Sequence, residues 1–242
     1  MPATSLLKPW GANSNVASAN IQLSGQSSNR DAYRATFLRH VHRLLQLGYE
    51  SLIPTAYTKA EEDDITGELC KRMKVLTEEQ PSEQWMSRYS VHDQDPVNDV
   101  VNPETGKVRR GKRRPKLDIR LVGKARVPNT RFCIEAKRLY RSGSITEYTD
   151  EEGLGAFVAE YYAKYDDAAG MLGYVQSDSI AHWVEKLENS LAEEASLEKG
   201  SRGEIWNLSS FPKGPPSTYL SFHHRTKSGR KLGVFHAFFL FC

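Results

Sequence analysis

The chain has 242 residues, 39% of them apolar and 26% charged, with a formal net charge of +3. That balance excludes a disordered polyelectrolyte and suits one sizeable domain with its own core. No stretch approaches the roughly 20 apolar residues that span a bilayer, and the first residues lack a basic and apolar leader, so the expectation is a cytoplasmic protein with no membrane partner.

Residues 1–29 are rich in Ser, Asn, Ala and Gly without sustained periodicity and read as a flexible N-terminal arm to a single domain over 30–242. From Asp31 to Leu47, Tyr33, Phe37, Val41, Leu44 and Leu45 recur at helical spacing, with Ser28 or Asn29 as N-cap and Gly48 just past the end. His40 and His42 fall in this helix and are assigned packing or surface roles. A second helix is expected over about Lys59 to Glu78, striped by Ile65, Leu69, Met73 and Leu76. The acids of its start suit the helix dipole, and Glu61 and Glu62 fall at the edge of its buried stripe.

Trp85 to Val91 reads as a strand, followed by a polar stretch rich in turn residues up to Arg114. Leu117–Val122 and Phe132–Lys137 read as two further strands joined by a short loop. Beyond them come a helix at Leu154–Tyr165, a strand at Met171–Gln176, a helix at Ile180–Glu193, and strands at Tyr219–His223 and Val234–Phe241 around a basic turn with Gly229. Tyr161, Tyr162 and Tyr165 are expected to fill the core. The fold class is α/β, a mixed central sheet flanked by helices. Cys70, Cys133 and Cys242 are far apart and odd in number, which argues against a disulfide framework or a zinc cluster.

The two central strands carry the chemistry. Alternation puts Phe132, Ile134 and Ala136 on one face and Cys133, Glu135 and Lys137 on the other, and likewise divides Leu117, Ile119 and Leu121 from Asp118 and Arg120. A hairpin turning near Arg126–Val127 then pairs Leu121 with Phe132, Ile119 with Ile134, Leu117 with Ala136, and Asp118 with Glu135. Facing carboxylates repel unless a cation lies between them, and hard oxygens suit Mg²⁺, with Mn²⁺ as a substitute. Lys137, two residues after Glu135, is placed to neutralise charge beside such an ion. The alternative for the trio is a surface cluster of salt bridges.

Between Lys107 and Arg141 stand 14 Lys and Arg against two acids, a local excess of +12, leaving −9 for the rest. Arg109, Arg110, Lys112, Arg113, Arg114 and Lys116 lead directly into the strand of Asp118, where they read as phosphate contacts to nucleic acid or else as a solvated loop. Gln176, His224 and Arg225 are further candidates, Gln176 for contact with the metal-bound water or the Glu135–Lys137 strand, and the other two, with His223, for binding near the phosphate, although core or surface packing is the favoured reading of those three. The aromatic run Phe235 to Phe241 is too apolar for an exposed edge, so it is either buried or covered by a second copy or a partner subunit.

Pro115-Lys-Leu-Asp118 followed by Glu135-Ala-Lys137 resembles the signature of the PD-(D/E)XK nuclease superfamily, whose members include restriction endonucleases, recombination nucleases and antiphage defence proteins. Two residues separate Pro115 from Asp118, where the family's pattern has them adjoining. The resemblance covers about 58–195 and implies a restriction-endonuclease-like core in the order helix, three strands, helix, strand. It further implies Asp118, Glu135 and the backbone carbonyl of Ala136 as metal ligands and Lys137 as the catalytic lysine. An acid from the first core helix joins them in many members, here Glu62 ahead of Glu61, Asp64 and Glu68. The implied activity is Mg²⁺-dependent cleavage of DNA, with RNA second, in a bacterial restriction or antiphage setting. The runner-up is a subunit of the same fold that binds nucleic acid, or serves a structural role, without cutting.

Overall fold

A computed structural model describes residues 29–97, 116–124 and 130–242. Helix α1 (Asn29–Glu50) and helix α2 (Glu62–Lys74) precede strands β1 (Tyr89–Pro96), β2 (Lys116–Gly123) and β3 (Arg131–Leu139). Two short helices, α3 (Ser144–Thr149) and α4 (Leu154–Val158), lead to β4 (Ala168–Val175), helix α5 (Ile180–Ala192), and strands β5 (Asn207–Leu208), β6 (Thr218–His224) and β7 (Lys231–Leu240). The strands form one seven-stranded sheet in the order β1-β2-β3-β4-β7-β6-β5. β1, β2 and β3 run antiparallel in turn, β3-β4 and β4-β7 are parallel, and β7-β6-β5 are antiparallel. The sheet is therefore mixed, with helices on both faces, and no helix among the described residues is long and apolar enough to cross a membrane.

Each face buries its own apolar cluster. Phe37, Val41 and Leu44 of α1 and Ile65, Leu69 and Met73 of α2 pack on Ile119, Leu121, Phe132, Ile134 and Ala136. Tyr148 of α3, Phe157 of α4 and Trp183 and Leu187 of α5 cover Cys133, Leu139, Met171, Val234 and Phe238 on the other side. Helix α1 runs through Gly48 to Glu50, so Gly48 is not the residue beyond its end. A β-carbon there would come 2.8 Å from Met73 Cγ and 3.0 Å from Leu69 Cδ1, so the glycine serves the close approach of α1 to α2. The β6–β7 turn uses Gly229 at a φ of +67°, a region that costs glycine little.

The first strand starts four residues later than expected, because Met86–Arg88 forms a single 3₁₀ turn. The helix expected over Leu154–Tyr165 stops at Val158, and a separate helix, α3, precedes it. The guanidinium of Arg225, only 1% exposed, donates to the carbonyls of Phe157, Ala163 and Asp166. Those acceptors hold the segment in an irregular path, with Glu160 and Ala163 at positive φ. Arg225 is thus a bracket inside the protein and not a phosphate contact, since its terminal nitrogens are engaged. Tyr162 is buried, whereas Tyr165 is 64% exposed and fills no core.

His42 is buried, stacked on Phe211, and bonded through Nδ1 to the Leu38 carbonyl at 2.8 Å. His40 stacks on Trp85 and meets the Tyr89 hydroxyl at 2.7 Å. Strand β7 lies between β4 and β6, so the chain itself covers the aromatic run and the argument for a partner subunit drawn from that run lapses. A chain of hydrogen bonds crosses this half of the sheet: Tyr148 hydroxyl to His236 Nδ1 at 2.9 Å, His236 Nε2 to Ser221 at 2.8 Å, Ser221 to His223 Nε2 at 2.8 Å, and His223 Nδ1 to Ser196 at 3.2 Å.

Candidate active site

β2 and β3 pair as expected from Val122–Arg131 to Ile119–Ile134, and there the ladder ends. Beyond it the strands part, so the expected pairs Asp118–Glu135 and Leu117–Ala136 do not form. A backbone N–H cannot be left buried without an acceptor, and carboxylates replace the missing carbonyls. Ala136 N–H donates to Asp118 Oδ2 at 2.8 Å, and Arg138 N–H donates to Glu62 Oε2 at 3.1 Å. The fork between the strands is thereby lined by acids from β2 and from the first residue of α2.

Lys137 closes the cluster, its Nζ 3.0 Å from Glu135 Oε1 and 3.1 Å from Glu62 Oε1. Glu135 belongs to the α5 face by its register and Glu62 to the α2 face, and the opening between β2 and β3 lets one ammonium reach both. Sequence spacing alone brought Asp118, Glu135 and Lys137 together; which acid of α2 joins them is decided by the helix start. Glu61 is the N-cap residue and pairs with Arg138 at the surface. Asp64 takes no part in the contacts of this cluster, and Glu68 pairs with Arg72 at 2.7 Å.

Among the described residues the cluster is short of cations. Glu62, Asp63, Asp118 and Glu135 face one ammonium. Burial raises the Asp118 carboxyl to about 6; the Ala136 N–H and Lys137 oppose the rise, while Glu62 and Asp63 add to it. Burial, then the nearby Asp118, drives Glu135 well above the ordinary carboxylate value despite its contact with Lys137. For Lys137, burial opposes its charge, but Glu135, Glu62 and Asp118 together outweigh burial and hold the ammonium above its usual value. Glu135 is 4% exposed, and its Oε2 is buried with no hydrogen-bond partner among the described residues. An orphaned, desolvated carboxylate oxygen beside a second buried carboxylate is the donor chemistry that a hard divalent cation satisfies. Among the described residues no three His, Cys, Asp or Glu side chains form a ready cage, so a cation here would have the two buried carboxyls of Asp118 and Glu135 as its side-chain ligands and take its other oxygens elsewhere.

The neighbouring residues divide into supports and bystanders. Gln176 is buried and saturated: its Oε1 accepts from Arg138 Nε at 2.8 Å, and its Nε2 donates to the carbonyls of Tyr57 and Ala60 at 2.7 and 2.9 Å. It ties β3 and the end of β4 to the segment that launches α2, and so fixes Glu62. Tyr162, expected from the sequence only as a core residue, donates to the Lys116 carbonyl at 3.1 Å and anchors the start of β2. No sequence signal marks it beyond its aromatic type. His224 is exposed and lies 3.3 Å from Glu198. Of the basic run, Lys116 is exposed at the start of β2, while Arg109, Arg110, Lys112, Arg113 and Arg114 lie outside the described residues.

Within the wider basic window, Arg120 pairs with Asp95 at 2.8 Å, Arg131 with Asp166 at 2.8 Å, and Arg138 with Glu61. Part of its charge is therefore spent inside the protein. Comparison with family models, curated proteins and solved structures gives no match.

Proposed function

We propose that the chain is a metal-dependent nuclease that hydrolyses phosphodiester bonds of DNA, built on the PD-(D/E)XK, restriction-endonuclease-like plan. One observation carries the reading: at the fork of β2 and β3, the buried acids Asp118 and Glu135 gather about the Lys137 ammonium, and Glu135 Oε2 has no partner among the described residues. The order α2, three antiparallel strands, helices, then a parallel β4 supports the same plan.

In this reading Asp118, Glu135 and the Ala136 carbonyl hold a Mg²⁺ ion, for which Mn²⁺ can substitute. The ion supplies Lewis acidity to a water and to the scissile phosphate. Lys137, an ammonium at any working pH, orients the attacking water and offsets charge that develops on the phosphate. Among the described residues two of its three donors are engaged, by Glu135 and Glu62, which aim the third at substrate. Glu62 holds Lys137 and the Arg138 backbone together, so it positions the lysine whether or not it also touches the cation. The basic approach through 107–116 supplies affinity for phosphates without sequence choice.

The test is incubation of plasmid, linear and single-stranded DNA with wild type, Asp118→Ala and Lys137→Ala, with and without Mg²⁺ or Mn²⁺. Cleavage is expected from wild type with the ion only, and to fall about a thousandfold or more in either variant. Equal cutting by all three proteins rejects the assignment. Salt-sensitive DNA binding with no cutting under any condition favours the non-cleaving subunit.

A further inference from the structure

Gln94 has a φ of +49° and is the only residue in a strand of the described chain, glycine aside, with positive φ. The register of β1 with β2 pairs Asp93 with Ile119 and Asp95 with Leu117, and the pair between them, Gln94 and Asp118, drops out. Both strands exchange faces at that point. On β1, Val91 packs in the α2-side cluster and Asp93 pairs with Lys74 of α2, yet Asp95 pairs with Arg120, and Val97 packs against the α5-side cluster. On β2, Ile119 and Leu121 belong to the α2 side and Leu117 to the α5 side. An uninterrupted strand keeps residues two apart on one face, so a kink shared by the two strands reverses them at Gln94 and Asp118.

The same side chain spans the acids. Gln94 Nε2 lies 3.3 Å from Asp63 Oδ1 and 3.3 Å from Asp118 Oδ1, so a neutral donor stands between two carboxylates that repel each other. A left-handed conformation in a residue with a β-carbon is strained and persists where surrounding structure imposes it, often at functional sites.

We infer that Gln94 is a positioning residue of the proposed nuclease site: its left-handed backbone kinks β1 and β2 so that Asp118 turns into the fork and accepts from the Ala136 N–H, and its amide holds Asp118 and Asp63 in place. The inference rests on the cation-dependent nuclease reading. Groups that orient a metal ligand contribute about 10- to 100-fold to metal affinity or activity.

Three substitutions separate the two roles. Gln94→Gly keeps the backbone freedom and removes the amide, Gln94→Asn keeps both with a shorter reach, and Gln94→Val, β-branched, opposes the positive φ. Mn²⁺ affinity is read from the electron paramagnetic resonance signal of the free ion, alongside thermal unfolding without metal and the kcat and KM of plasmid cleavage. Gln94→Gly is expected to weaken Mn²⁺ binding about tenfold or more and to lower kcat in proportion, with KM for DNA and the melting temperature little changed. Gln94→Asn should recover part of the loss, and Gln94→Val should lose both affinity and stability. Wild-type affinity and kcat in Gln94→Gly, or a lowered melting temperature with unchanged Mn²⁺ binding, overturns the inference while leaving the nuclease reading intact. A wild-type protein that binds no Mn²⁺ overturns both.

Discussion

Two polar clusters are buried in this sheet, and they are completed in opposite ways. The chain from Tyr148 through His236, Ser221 and His223 to Ser196 is made of neutral groups, each with a partner at 2.8–3.2 Å. Burial keeps its imidazoles uncharged, His223 lowered to about 4 and His236 well below its ordinary value. At the fork, by contrast, the groups are acids and an ammonium, the acids outnumber the ammonium among the described residues, and one carboxyl oxygen has no partner among them. Equal burial therefore does not imply equal purpose: a satisfied network adds to the fold, while an unsatisfied one costs stability that a ligand can return.

The largest expected difference between the regions is in cleavage, which Asp118→Ala removes and a change in the histidine chain does not. His236→Leu should lower the unfolding free energy by about 2–4 kcal/mol, because the Tyr148 hydroxyl and Ser221 are both left without their imidazole. Urea unfolding measures the loss, and kcat per folded molecule should be unchanged. Altered kcat in the folded fraction would erase the distinction. A smaller effect of opposite sign is expected at the fork. Glu135→Gln in the presence of a chelator should raise stability by about 1–2 kcal/mol, since one of the buried acids crowded about Lys137 is removed, and should abolish the rise in melting temperature that the proposed function expects Mg²⁺ to give the wild type.

Acidification sharpens the contrast further. His223 takes its proton near pH 4 when folded and near 6.5 when unfolded, so its contribution is complete above 6.5 and is lost as pH falls toward 4. Asp118 does the reverse. Its carboxyl takes a proton near 6 when folded against 3.8 ordinarily, so its cost is full above 6 and is relieved as pH falls toward 4. Unfolding free energies between pH 4 and 6.5 should therefore drop more steeply in Asp118→Asn than in wild type, by up to about 3 kcal/mol across the window. An unchanged slope would show that the Asp118 carboxyl is not held high.

Asp118, Glu135 and Lys137 were legible as a constellation because strand alternation and apolar partners set their register, and the structure keeps that register through Ile119 and Ile134. The fork beyond was not legible. It depends on a positive φ at a glutamine, a residue type that does not announce one as glycine or asparagine does. The length of α4 was hidden for a different reason: the side chain that arrests it, Arg225, comes from 68 residues further along the chain than Phe157, whose carbonyl it takes. The histidine chain draws its members from α3, β6, β7 and Ser196, and no local pattern connects them. Glu62 lay between these cases, since spacing narrowed the acids of α2 to a few and only the helix start selects one.

The bond from Tyr162 to the Lys116 carbonyl and the kink at Gln94 clamp the chain on both sides of residues 98–115. The places of Lys116 and Asp118 are therefore set by contacts made outside 98–115.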